Sequence, residues 1–203
     1  MSTPSDPAPA PAGRYRVLFA AGAAIETSVL PYHLIRLTSL FPEIIPTLAL
    51  SPQAEAFLGP ATVRALSSDE PHLTGASFAA DGSALHLRAR DIDALIVYPA
   101  TPRLITEIAS GTITCPVTRA AAFAPTDRMI VTPYVHPDLD ARFYLPAIHR
   151  LEALGVRVVL PPSGDIHWTD ASAWSATVTE LGRLLPLGQP ASIDHTRSVV
   201  ESS

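Results

Sequence analysis

Five apolar residues in a row, Ala94-Leu-Ile-Val-Tyr98, constrain this chain more than any other stretch. A strand with one wet face alternates polar and apolar residues, so an unbroken run belongs to a strand covered on both faces, as parallel strands between two helix layers are. Asp91 and Asp93 mark where it begins, and Pro99 ends it. After the Pro99-Ala-Thr101 turn, Leu104, Ile105 and Ile108 carry the spacing of an amphipathic helix that stops at Gly111. A strand end that meets a helix N-terminus presents unpaired N–H groups, and open α/β sheets bind phosphates and cofactors there. A lone histidine, His86, stands just upstream.

The same unit recurs along the chain. Tyr15 to Ala21 reads as a buried strand, Gly22-Ala-Ala-Ile25 as a small-residue turn, and the residues around Val29, Leu30, Leu34 and Leu37 as a helix. Ile44 to Leu50 is a second strand ending at Ser51-Pro52, with helix over Ala54 to Leu58 and again around Thr62 to Leu66. Ser67 to Ser83 reads as an irregular loop. Thr112 to Ala122 gives a short helix, Met129 to Pro133 a strand, Pro146 to Leu154 a helix capped at Gly155, and Val156 to Leu160 a last strand. A helix over Ala173 to Leu185 precedes a polar tail from about Gly188. Strands alternating with helices imply an α/β fold with a single doubly wound parallel sheet and helices on both faces. The composite site then lies along the carboxyl edge of the strands. Trp168 and Trp174 read as core.

Composition narrows the chemistry. A chain of 203 residues, 47% hydrophobic, supports one domain with a real core. Met1 to Gly13, mostly Ser, Pro and Ala, reads as a disordered tail without the basic start and apolar centre of a signal peptide. No stretch is long and apolar enough to span a bilayer, so no membrane partner is expected and the chain is placed in the cytoplasm. All 14 basic residues are arginine. Without lysine there is no Schiff base, no pyridoxal phosphate anchor and no Walker-type phosphate lysine. A net charge of -5 with no Arg-rich run argues against nucleic acid. The seven histidines are scattered without HxH or HExxH spacing, so no metal site is expected, and a single cysteine, Cys115, excludes an internal disulfide.

Several of these residues carry a resemblance. Pro99-Ala-Thr-Pro-Arg103, Ile108-Ala-Ser-Gly111, Ser51-Pro-Gln-Ala-Glu-Ala-Phe57, His86 and the segment Pro146 to Pro162 resemble motifs of the homo-oligomeric flavin-containing cysteine decarboxylases. The likeness runs from about Arg14 to Pro162. It implies a Rossmann-like, flavodoxin-like fold over residues 14–186, with a polar C-terminal tail over 187–203. It implies FMN as cofactor, FAD being the alternative, held by Gly22, Ala23, Ala24, Ser51, Phe57, Pro99, Ala100, Thr101 and Thr118. The catalytic residue implied is His86, and the substrate-side residues are Tyr134 and His136. Thr101, and after it Arg103, stand where a flavin phosphate or a neighbouring subunit would be met. The partners implied are the C-terminal cysteine of a precursor peptide and further copies of the chain, as a homo-trimer or homo-dodecamer.

The chain also departs from that family. Pro133-Tyr-Val-His136 replaces a P-x-M-N-x-x-M-W motif, which puts His136 where the family has its substrate-binding Asn. The late cysteine with which phosphopantothenoylcysteine decarboxylases reduce their product has no counterpart in Pro161 to Trp174. This favours the oxidative branch, which stops at an enethiol and leads to aminovinyl-cysteine peptides. Losing carbon dioxide from a C-terminal cysteine needs an electron sink beta to the carboxylate, and oxidising the thiol-bearing carbon to a thioaldehyde creates one. The resemblance gives the redox step to the flavin and proton transfer near neutral pH to His86. A phosphopantothenoylcysteine decarboxylase-like enzyme, a flavin prenyltransferase and a flavin-binding regulatory protein without catalysis are the alternatives. Gly22-Ala-Ala-Ile25 lacks the serine- and glycine-rich turn of a prenyltransferase, and retention of His86 weighs against a purely regulatory role.

Overall fold

The computed structural model describes residues 13–163, 166–168 and 172–191. The expected N-terminal tail lies outside these apart from Gly13, and the expected C-terminal tail is described only as far as Ala191. Five strands, β1 (Tyr15–Ala21), β2 (Ile44–Leu50), β3 (Ala94–Ala100), β4 (Met129–Pro133) and β5 (Arg157–Val158), form one parallel sheet in the order β2-β1-β3-β4-β5. The seven helices described are α1 (Leu30–Leu40), α2 (Pro60–Leu66), α3 (Leu85–Arg88), α4 (Pro102–Ser110), α5 (Pro116–Phe123), α6 (Leu145–Ala153) and α7 (Ser172–Leu184). This is the flavodoxin-like α/β arrangement expected from the alternation of strands and helices.

Strand periodicity divides the core into two layers. Val17, Phe19, Ala21, Ile96, Tyr98 and Ile130 face the side packed by α1, α2 and α7. Leu18, Ala20, Leu95, Val97, Met129 and Val131 face the side packed by α4, α5 and α6. All seven residues of β3 are buried, which accounts for its lack of polar alternation. Truncating Leu95 or Ile96, at 0% and 1% exposure, to alanine costs about 2–5 kcal/mol. A hydroxyl pair joins α7 to β4 in the core. Thr177 donates to the Ala173 carbonyl at 2.7 Å, so Thr132 donates to Thr177 at 2.7 Å.

Several boundaries differ from expectation for physical reasons. Pro99 does not end its strand. The Tyr98–Pro99 peptide is cis, and β3 runs on to Ala100 because its register with β4 shifts between Val97 and Ala100, stepping past the residue that has no N–H. The helix expected over Ala54 to Leu58 is a 3-10 turn, Ala54–Ala56, closed by the Ser51 carbonyl. The helix expected from Thr112 starts at Pro116, where Thr118 caps it. The last strand shortens to two residues at the sheet edge, ahead of Pro161-Pro162, which have no N–H to donate. Within the loop expected over Ser67 to Ser83, His72 pairs with β2: its N–H donates to Leu48 O at 2.8 Å, and Leu50 N–H donates to His72 O at 3.0 Å.

Candidate functional site

The order β2-β1-β3 sends successive connections to opposite sides of β1, so the chain parts at the carboxyl ends of β1 and β3 and leaves a crevice there. Backbone hydrogen bonds continue the sheet past the strand ends and fix the turns around the crevice. Gly22 N–H donates to Pro99 O at 2.9 Å, Ser51 N–H to Ala21 O at 3.0 Å, and Tyr134 N–H to Ala100 O at 2.7 Å. The Thr27 hydroxyl donates to Gly22 O at 2.5 Å and holds the first turn shut from the other side. Gly22 is required by space. A Cβ there would lie 2.7 Å from Thr101 Cγ2, 2.9 Å from Leu104 Cδ1 and 2.9 Å from the Pro99 carbonyl oxygen.

A cleft of about 260 Å³ opens at this point, lined by Ala23, Ser51, Gln53, Thr101, Arg103 and Cys115 among others. Thr101 is the N-cap of α4, and its hydroxyl makes no capping bond. Pro102 follows and has no N–H, so the free donors of this helix start are Arg103 and Leu104. Ser51 is 6% exposed, and its hydroxyl has no hydrogen-bond partner among the described residues. The crevice therefore collects hydroxyls and N–H groups that the fold itself leaves unused.

The residues implied by the resemblance are placed differently. Ala23, Ser51 and Thr101 line the cleft, while Gly22, Ala24, Pro99 and Ala100 form its backbone supports. Phe57 and Thr118 do not line it. Phe57 follows the 3-10 turn at 41% exposure. The Thr118 hydroxyl is consumed in capping α5, accepting from Thr114 N–H at 3.0 Å and Cys115 N–H at 3.1 Å and donating to Cys115 O at 3.2 Å. His86 and His136 stand apart from the cleft. His86 lies in α3 against Phe123, with ring centroids 4.8 Å apart. Phe123 lies at the far end of α5 from the lining residue Cys115, about 12 Å along the helix axis, and His86 is not among the residues lining the cleft. His136 is solvent-exposed, its Nδ1 accepting from Asp138 N–H at 3.2 Å.

Charged groups meet in two further places, of whose residues the sequence points only to Tyr134. Tyr134 donates its hydroxyl to Glu26 Oε1, and Glu26 Oε2 is buried without a partner. Burial first, and the Glu26 charge second, push the Tyr98 hydroxyl up to about 12. Burial and the hydrogen bond to Glu26 push Tyr134 up as well. On the other face, Arg88 binds Asp69 and Asp81. His72 beside it, 5% exposed, is lowered to about 4 by burial and then by the Arg88 charge. Glu26 sits 108 residues from Tyr134, and no local pattern announces a pair at that separation. Among the described residues, no group of three or more His, Cys, Asp or Glu is placed to hold a metal, and no helix is long and apolar enough to cross a membrane.

No protein-family model matches the chain, and no curated protein resembles it in sequence. Solved structures do. An FMN-dependent cysteine decarboxylase, TvaF from thioviridamide biosynthesis, superposes with a TM-score of 0.63 at 23% identity, over 82% of this chain and 99% of its own. A mutant PPC decarboxylase gives 0.65 at 19% identity, over 83% and 98%. The epidermin biosynthesis protein EpiD from Staphylococcus aureus gives 0.60 at 18% identity, over 70% and 81%. At these identities the likeness is one of fold: the chain shares its fold with these three proteins over most of its length.

Proposed function

We infer that the chain is an FMN-dependent decarboxylase of cysteine carboxylates, and that its substrate is the C-terminal cysteine of a peptide. The observation that carries this reading is the crevice between β1 and β3, where Gly22 leaves room for close backbone approach and the Ser51 and Thr101 hydroxyls stand unused. A flavin phosphate suits that set, because hydroxyls and helix-start N–H groups favour an anion. FMN bound there would supply the two-electron oxidation of the thiol-bearing carbon. Gly22, Ala23, Ser51 and Thr101 would hold it. Tyr134 and His136, on the loop after β4, are the proposed contacts for the peptide end, and the Tyr134 hydroxyl is held by Glu26.

His86 is the proposed proton-transfer residue, acting across an interface between copies. Its distance from the cleft within one chain supports a site completed by a second subunit, and so do the large exposed apolar side chains. Ile25, Tyr32, Phe78 and Phe143 are 68%, 61%, 66% and 78% exposed. A trimer, alone or in a dodecamer, is the assembly this reading carries.

The test is to load the protein with FMN and incubate it with a short peptide ending in cysteine. The expected product has lost carbon dioxide and two hydrogens. Loss of carbon dioxide alone would place the enzyme on the reductive, pantothenate-like branch. Retained FMN with an unchanged peptide would make it a flavin-binding protein without this activity.

A further inference from the structure

Glu26 enters the scheme above only as the partner of Tyr134, and packing alone gives no reason for a carboxylate at this point. It stands in the 3-10 turn Ile25–Val29 after β1 and reaches across the end of β3 to Tyr134, on the loop after β4. Backbone bonds fix both feet of this bridge to β3, Gly22 N–H donating to Pro99 O at 2.9 Å and Tyr134 N–H to Ala100 O at 2.7 Å. The carboxylate uses one of its oxygens. Oε1 accepts the Tyr134 hydroxyl proton, whereas Oε2 is buried without a partner, and Glu26 forms no ion pair among the described residues. A buried acceptor without a donor lowers stability, so an apolar side chain would serve the fold better.

What the carboxylate does is set the role of Tyr134. A phenol carries one proton and two lone pairs. Tyr134 has spent its proton on Glu26, so it presents only lone pairs to anything else. Burial, the bond to Glu26 and the Glu26 charge all keep that proton on the tyrosine. Tyr98, whose hydroxyl the same charge also keeps protonated, is 4% exposed and belongs to the core layer. Tyr134 is half-buried, packed against that layer on one side, so it is the member of the group that a ligand meets. The open end of the bridge is therefore an acceptor backed by a negative charge. A ligand carboxylate is repelled there, and an N–H donor is accepted.

We propose that Glu26, by fixing the Tyr134 proton, makes Tyr134 an obligate acceptor for the backbone N–H of the substrate's last residue, so that the site selects a terminal cysteine joined by an amide. The identity of the ligand rests on the peptide reading above. The selection rests on the bridge between Glu26 and Tyr134. Of the donors on a terminal cysteine, the amide N–H is strong and the thiol weak, and the thiol is the group that the oxidation consumes. Glu26 is a positioning residue in this scheme, because it reaches the ligand only through Tyr134.

The experiment is calorimetric titration of the FMN-loaded full chain with two ligands that cannot turn over. One is a short peptide ending in serine, which has no thiol to oxidise. The other is its depsipeptide, in which an ester oxygen replaces the last N–H. The wild type should prefer the amide by about 10- to 100-fold, because the ester loses a hydrogen bond and sets its own lone pairs against those of Tyr134. Tyr134→Phe should bring the amide down to the affinity of the ester. Glu26→Ala frees the Tyr134 hydroxyl to turn its proton toward the ester, so the ratio should approach one through tighter ester binding, whereas a merely structural loss would weaken both ligands together. The double variant should behave as Tyr134→Phe does alone. Tyr134→Phe keeps the ring and carries the test even if Glu26→Ala does not fold. A wild type that binds both ligands alike overturns the proposal and leaves the peptide reading standing. An amide preference that survives in Tyr134→Phe overturns it too, since the N–H then meets another acceptor. A wild type that binds neither ligand removes the peptide reading, and with it the donor proposed for this corner.

Discussion

Replacing Gly22 with alanine tests whether the crevice depends on the close approach of β1 to the turn after β3. The added Cβ meets Thr101 Cγ2 at 2.7 Å, Leu104 Cδ1 at 2.9 Å and Pro99 O at 2.9 Å. The first two neighbours are ends of side chains and can rotate. The third is backbone, and the same carbonyl accepts the Gly22 N–H at 2.9 Å, so relief requires β1 and β3 to move apart where they are bonded. Overpacking of this kind costs about 1–3 kcal/mol, and weakening a buried backbone hydrogen bond adds about 1 kcal/mol. The sum, about 2–4 kcal/mol, is smaller than the total stability of a typical domain, about 5–15 kcal/mol, so Gly22→Ala should still fold. In urea, with a slope of about 2–3 kcal/mol per molar, the midpoint should drop by about 1 M. Thr101 and Leu104 are the side chains displaced, and both line the cleft. FMN affinity should therefore fall about tenfold or more in protein that is still folded. A variant with the wild-type midpoint and wild-type FMN affinity would refute the close approach as the reason for glycine.

Three further outcomes follow from the same structure. His72, lowered to about 4 from an ordinary 6.5, favours the folded state fully above pH 6.5, and that contribution disappears as the pH falls toward 4. About 3 kcal/mol is lost over that window, so urea midpoints should fall from pH 7 to pH 4.5 and fall less steeply in His72→Gln, and equal slopes would contradict it. Thr118→Val removes the acceptor for two N–H groups at the start of α5 and should cost about 2 kcal/mol in urea, whereas a change under about 0.5 kcal/mol would show that the cap is dispensable. His86→Asn should keep FMN and lose turnover by about 100-fold or more, and full activity would remove His86 from the chemistry.

Hydrophobic periodicity made most of the fold legible. β1, β2 and β4 occupy the expected residues because each is a mostly apolar run, interrupted by no more than one polar side chain, Arg16, Thr47 or Thr132, apart from the terminal Tyr15. The stop of α4 at Gly111 was legible too, since φ of +71° there is left-handed and suits glycine. Ser51 was legible as a polar residue set directly after an apolar strand. What was not legible depends on packing between elements. The separation of His86 from the cleft follows from how α3 docks on α5 after a stretch, 67–83, that carries no periodicity. The Glu26–Tyr134 pair joins two turns brought together only by the strand order. Thr118 had a local signal, since a hydroxyl three residues after Cys115 and two after Pro116 is the pattern of a cap, and reading it so would have taken it off the cofactor side.

The claim on which the rest depends is that the β1/β3 crevice takes up FMN, and the direct measurement is titration of the flavin-free chain with FMN, with Gly22→Ala and Ser51→Ala alongside. Saturation at a single FMN per chain, weakened in both variants while their folds persist, is the expected result. A wild-type chain that stays colourless with FMN, or one that binds it equally well in all three forms, would contradict it.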